Sequence, residues 1–123
     1  MNFNLVGWFE IYVEDMDRAQ KFYEEVFKVE LQDLPMEGMS MRAFPGDHNK
    51  PGATGTLVKM EGMNPGSGGT MVYFGCEDCA VEESRVEAAG GKVVQTKMSI
   101  GEHGFCSMVL DTEGNTIGLH SMA

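Results

Sequence analysis

The chain is poor in positive charge. Nine Lys and Arg stand against 19 Asp and Glu, for a formal net charge of -10. A nucleic-acid partner would have to overcome that repulsion, and no basic stripe is present to do so. An anionic membrane surface is disfavoured for the same reason. Long apolar runs are also lacking: none approaches the roughly 18 residues that a membrane span needs. The opening residues Met1-Asn2-Phe3-Asn4-Leu5-Val6 have neither the basic start nor the apolar stretch of a secretory signal. Cysteines are few and odd in number (Cys76, Cys79, Cys106). Without a secretory signal that count predicts reduced thiols and a cytoplasmic location. A nucleophile elbow, a phosphate loop and a dinucleotide fingerprint are all missing.

What remains is ordinary globular material. The 123 residues are 42% hydrophobic and 23% charged, enough for one compact domain with a real core. Residues 6–13 predict a strand in which Phe9, Ile11 and Val13 alternate with Trp8, Glu10 and Tyr12. Glu14-Asp15 closes it and places acid at a helix start, where the dipole favours it. The helix spans about 16–27, with Met16, Ala19, Phe22, Tyr23, Val26 and Phe27 on one side and Glu24, Glu25 and Lys28 facing out. Strands are predicted at 39–44 and 56–60, separated by a Pro- and Gly-bearing loop over 45–55. A Gly-rich linker covers 62–69. The pattern then restarts: strand 70–76, the acidic pair Glu77-Asp78, and a helix to about 89 that Gly90-Gly91 terminates. A short strand at 92–95, a loop at 101–104, a strand at 105–110, a turn at 111–115 and a last strand at 116–121 complete the chain.

Two halves therefore repeat, about 1–62 and 70–123. A shift of 63 lays Trp8 on Met71, Phe9 on Val72, Ile11 on Phe74, Val13 on Cys76 and Glu14-Asp15 on Glu77-Asp78. Near the ends a shift of 62 lays Gly55-Thr56-Leu57-Val58 on Ile117-Gly118-Leu119-His120. Each half reads β-α-β-β-β, a sheet with a helix on one face and an open face opposite. Two open faces can pair into a cup, within a chain or across a dimer.

These residues resemble a known family. Phe9-Glu10-Ile11-Tyr12-Val13, the stretch Asp15-Met16-Asp17-Arg18-Ala19 with Phe22-Tyr23, and Val109-Leu110-Asp111-Thr112-Glu113-Gly114-Asn115 followed by Ile117-Gly118-Leu119-His120-Ser121 are similar to the vicinal oxygen chelate superfamily. That superfamily groups glyoxalase I, bleomycin-resistance proteins and extradiol dioxygenases. The resemblance implies an α+β fold of two βαβββ modules forming a cupped mixed β-sheet (the glyoxalase/bleomycin resistance fold). It also implies a homodimer, with cups built from paired subunits. Metal-using relatives hold one divalent cation with four His or Glu side chains, at positions that correspond here to Trp8, Thr56, Met71 and Gly118. An indole, a hydroxyl, a thioether and a glycine are poor donors for such an ion, so no metal and no cofactor are expected.

Strand alternation sets Glu10, Val58, Tyr73 and His120 one layer further along, beside Trp8 and Tyr12. Glu10 and His120 are the candidate catalytic pair. A carboxylate in an apolar cup would have a raised pKa, and a nearby imidazole could trade a proton with it. Trp8, Tyr12, Thr56, Val58, Met71, Tyr73 and Gly118 are the candidate ligand-binding residues. The same polar pair also reads as a structural hydrogen bond in an apolar cavity. Three functions follow from the resemblance. One is small-molecule binding without a metal, with or without turnover. Another is a metal-dependent lyase, isomerase or dioxygenase with ligands relocated to Glu10 and His120. The third is sequestration of a drug or toxin. Cys76-Glu77-Asp78-Cys79 has redox or zinc spacing, but it falls on apolar slots of the repeat and has no second ligand pair. Met36, Met39, Met41, Met60 and Met63 suit core filling or an adaptable lining. His48 and His103 read as loop histidines, His103 at the rim of the cup.

Overall fold

The structure, a computed structural model, describes residues 4–47 and 49–123; His48 lies outside the described residues. The first half forms β1 (Trp8–Tyr12), α1 (Met16–Phe27), β2 (Gln32–Asp33), β3 (Ser40–Ala43) and β4 (Thr54–Lys59). The second forms β5 (Val72–Gly75), α2 (Cys79–Val86), β6 (Lys92–Ser99), β7 (Phe105–Leu110) and β8 (Thr116–Ser121). Their sheets have matching orders, β1-β4-β3-β2 and β5-β8-β7-β6. Among the described residues no helix is long and apolar enough to cross a membrane.

The helices start where the acidic pairs predict. Asp15 caps α1 by accepting from Arg18 N at 3.1 Å, and Asp78 caps α2 by accepting from Ala80 N at 3.0 Å. Each cap satisfies a backbone donor that the helix itself cannot. α1 ends at Phe27 as expected, and the exposed Lys28 stops it in the left-handed conformation at φ 54°. Glu24 bonds back to Leu31 N at 2.9 Å. α2 stops at Val86, short of 89, because Gly91 N returns to Val86 O at 2.9 Å around the positive φ of Gly90. Residues 92–95 extend into an eight-residue edge strand. The pair Gln32–Asp33 is a strand that sequence patterning left in a connection.

Register bears out the repeat. In the first sheet Glu10 pairs Thr56 and Tyr12 pairs Val58. In the second, Tyr73 pairs Gly118 and Gly75 pairs His120. These are the same pairings displaced by 63 on one strand and 62 on the other. Both helices lie on one side, sharing a core that holds Ile11, Val13, Phe22, Tyr23, Val26, Leu57, Val86, Val109, Ile117 and Leu119. Full burial of a side chain such as Phe22 stabilises the fold by about 1.5–3 kcal/mol. The edges β1 and β5 meet at a seam, where Phe9 and Phe74 are edge-to-face at 6.0 Å. Asn115, at the start of β8, donates to Tyr12 O at the end of β1. The two edge strands thus run antiparallel along the seam.

Candidate functional site

One turn, 111–115, ties the second module to the first. Asp111 accepts from the Tyr23 hydroxyl at 2.7 Å and from Asn115 Nδ2 at 3.0 Å. Burial and the Asp111 carboxylate hold the Tyr23 phenol well above its usual range. Glu113 has a fully buried side chain. Its carboxylate accepts from Glu14 N (3.0 Å), Asp15 N (2.8 Å), Arg18 Nε (2.7 Å) and Nη2 (3.0 Å), and the Thr112 hydroxyl (2.9 Å). Burial pushes this carboxyl up, but the bonds from Arg18, the backbone and Thr112 outweigh it and hold the pKa at about 2. This clamp fixes the seam, and with it the relative placement of β1 and β8.

Opposite the helices, alternation turns Trp8, Glu10 and Tyr12 of β1 to the open face with Thr54, Thr56 and Val58 of β4. Tyr73 and Gly75 of β5 share the corresponding face with Gly118 and His120 of β8. Thr56, Val58 and Met41 are buried there, while Trp8 and Tyr73 remain 40% and 52% exposed. The floor is thus closed within one chain, and two large aromatic rings stand above it. The Thr56 hydroxyl oxygen is buried with no hydrogen-bond partner among the described residues.

The layering read from the sequence changes in one respect. Thr56 and Gly118 lie level with Glu10 and Tyr73 rather than with Trp8 and Met71, and Val58 and His120 lie one pair further on. A repeat aligns the halves with each other; it does not set the stagger between paired strands, which the hydrogen-bond register decides.

Glu10 and His120 are engaged separately. Glu10 is exposed and accepts from the Tyr12 hydroxyl at 2.8 Å. That bond to Glu10, with partial burial, raises the Tyr12 pKa and keeps its proton in place. His120 Nε2 lies 2.7 Å from His103 O. A carbonyl only accepts, so Nε2 carries a proton and donates it to His103 O. His103 meets the site through its backbone, its side chain being mostly exposed. Glu10 is thus exposed rather than enclosed in an apolar cup, and the hydrogen bonds of Glu10 and His120 go to other partners than each other. Glu10 and Tyr12 line a cavity of about 290 Å³ against Thr116 and the linker, whereas Tyr73 lines a separate cleft at the seam. Met71 is half-buried, one residue before β5.

The four positions that would hold a cation do not fit one. A Cβ at Gly118 would fall 2.3 Å from Tyr73 Cδ1, so the Tyr73 ring occupies the place where a ligating side chain would begin. Trp8 offers an indole that only donates, and Met71 a soft thioether. Thr56 contributes a neutral hydroxyl. Among the described residues no three His, Cys, Asp or Glu are grouped so as to hold an ion.

The cysteines are free. Cys79 and Cys106 are buried and Cys76 is half-buried, as apolar slots require. Of the clustered methionines, only Met41 fills a buried position. Met39, Met60 and Met63 instead line a cleft of about 760 Å³ beside Glu113.

Two matched βαβββ modules, with capped helices on one side and an open face on the other, define a class of fold. The chain belongs to the Glyoxalase/Bleomycin resistance protein/Dioxygenase superfamily, whose family model matches residues 5–119. It is 28% identical over 122 residues to the protein named "Putative glyoxylase CFP32" of Mycobacterium tuberculosis. The match takes in 92% of this chain and 44% of that protein, so the chain spans less than half the length of the curated relatives it matches. Among solved structures it is similar to TnmS3, an antibiotic binding protein from Streptomyces sp. CB03234. That similarity has a TM-score of 0.71 and 25% identity, covering 100% of this chain and 99% of that one. Glyoxalase I from Zea mays is similar in fold (TM-score 0.72, 17% identity), covering 94% of this chain and 45% of that one.

Proposed function

We propose that the protein binds a small molecule on its open sheet face without a metal ion. The ligand's apolar body would stack on Trp8 and Tyr73, with a polar group near Glu10 and Tyr12. The exposure of those two aromatic rings above a closed floor is the observation that carries this reading. Aromatic side chains give large contact area at low entropic cost. Similarity along the whole chain to an antibiotic binding protein favours sequestration over turnover. So does the separate engagement of Glu10 and His120, which leaves no ready acid–base pair. A second copy of the chain would close the open face over the ligand, as the family resemblance implies.

A thermal-shift screen of antibiotics that carry a planar aromatic group, bleomycin with its bithiazole included, tests the assignment. Stabilisation should appear in the parent chain and vanish in Trp8→Ala and Tyr73→Ala. Glu10→Gln should weaken it, and His120→Ala should leave it largely intact. A hit unaffected by both aromatic truncations would reject the open face as the site.

A further inference from the structure

We propose that the cleft at the seam of the two sheets is a separate binding site for a small protonated amine with an apolar body, held by Glu82. The cleft has a volume of about 360 Å³. Phe9, Phe27, Phe44 and Phe74 wall it, with Phe27 stacked on Phe74 at 4.5 Å and Phe44 tilted against Phe74 at 5.6 Å. Those rings come from the helix-bearing side of the sheets. The site is thus centred away from the open face, although Thr54, Tyr73 and Gly75 border both.

Glu82 reaches this cleft from α2. Its Oε1 is buried and has no hydrogen-bond partner among the described residues. The contrast with the other inward carboxylates is sharp, since Asp111 and Glu113 each collect several donors. Nearby donors are few. Arg85, one turn further along α2, donates to Val26 O at 2.9 Å. The Cys76 thiol lies 3.6 Å from Phe74 O; burial first, then the charge of the Glu82 carboxylate and a hydrogen bond to it, push its pKa up to about 12, so it gives Glu82 at most a weak, neutral S–H donor.

A carboxylate oxygen removed from water without a donor is costly. An ammonium N–H supplies a charge-assisted bond to it, and the same positive charge is attracted to the faces of the surrounding rings. A neutral alcohol of the same shape gives only an ordinary hydrogen bond. An anion is repelled by Glu82 and by the net charge of -10.

The test uses the whole 123-residue chain, ¹⁵N-labelled, titrated at neutral pH with benzylammonium, benzyl alcohol and benzoate. Benzylammonium should move the backbone amides of Phe74, Gly75 and Glu82 saturably. Benzyl alcohol should bind about tenfold to a hundredfold more weakly, and benzoate should leave these amides still. Glu82→Gln should erase the preference for the ammonium over the alcohol. The three-probe comparison on the parent chain stands even if that variant fails to fold. Equal responses to all three probes, no saturable shift at those amides, shifts confined to Glu10, Tyr12 and Gly118, or a preference that survives Glu82→Gln would each overturn the proposal. Binding at the open face is read separately through Trp8→Ala and Glu10→Gln, because neither Trp8 nor Glu10 lines this cleft, whereas Tyr73 borders both.

Discussion

Glu113→Gln should be the most informative single substitution in the clamp. Glutamine keeps the length of the side chain but turns one oxygen into a donor and removes the charge. That change sets an N–H₂ group against Arg18 or against the backbone N–H groups of Glu14 and Asp15, all of which now donate to the carboxylate. The carboxyl stands at about 2 in the fold against an ordinary 4.5. By linkage, a depression of that size corresponds to at most about 3 kcal/mol of stability. Arg18 is half-exposed, so screening reduces this to roughly 2 kcal/mol. In a domain of this size that lowers Tm by about 6–10 °C. Urea unfolding of parent and variant, followed by circular dichroism from neutral to acid pH, measures it. Because the folded pKa is depressed, the contribution is fully present above about 4.5 and is lost as pH falls toward about 2. The gap between the two proteins should therefore be constant above pH 5 and should narrow steadily below it. A gap under about 0.5 kcal/mol at neutral pH, the range of ordinary surface substitutions, would refute the reasoning. So would a gap that does not change on acidification.

Two further outcomes follow from the packing of the second sheet. Gly118→Ala should destabilise by about 1–3 kcal/mol, the usual cost of overpacking, because its methyl would fall on the Tyr73 ring. Adding Tyr73→Ala should recover most of that loss in a double-mutant cycle; strict additivity would show that the ring does not seal this position. Cys76, pushed up to about 12 by burial and by Glu82, should react with a disulfide reagent at pH 8 far more slowly than a free thiol. Rapid labelling of Cys76 would contradict its placement.

The repeat was legible because both halves carry the same local signals. Asp15 and Asp78 each close a strand and open a helix, and the burial of Met16, Ala19, Phe22, Tyr23 and Val26 follows directly from helical spacing. Local patterning failed where long-range contacts decide the outcome. β6 runs to Ser99 although alternation fades after Gln95, because register shifts at Val93/Gln95 and Gln95/Met98 break the period while pairing with β7 continues. Gln32–Asp33 is too short to carry a period at all. Glu113 read as one residue of a turn; apart from the adjacent Thr112, the partners of its carboxylate lie 95 or more residues away in the chain. The acidic residues of that turn and the lone Arg18 at the start of the first helix were the available signal. Glu82 occupies the position that the shift of 63 pairs with the buried Ala19 of α1, so local pattern marks it only as a polar residue in an apolar slot. The open face was legible as a set of residues, but its layering was not, since the sequence does not encode the stagger of β4 against β1.

Trp8 is the only tryptophan in the chain, and its emission is the most direct probe of the central claim. An aromatic ligand identified by thermal shift should be titrated against the parent protein while Trp8 fluorescence is followed, once in plain buffer and once with excess chelator. The account predicts saturable quenching with the same Kd in both titrations, and none in Tyr73→Ala at those concentrations. Quenching that disappears with the chelator and returns on adding a divalent cation would contradict it.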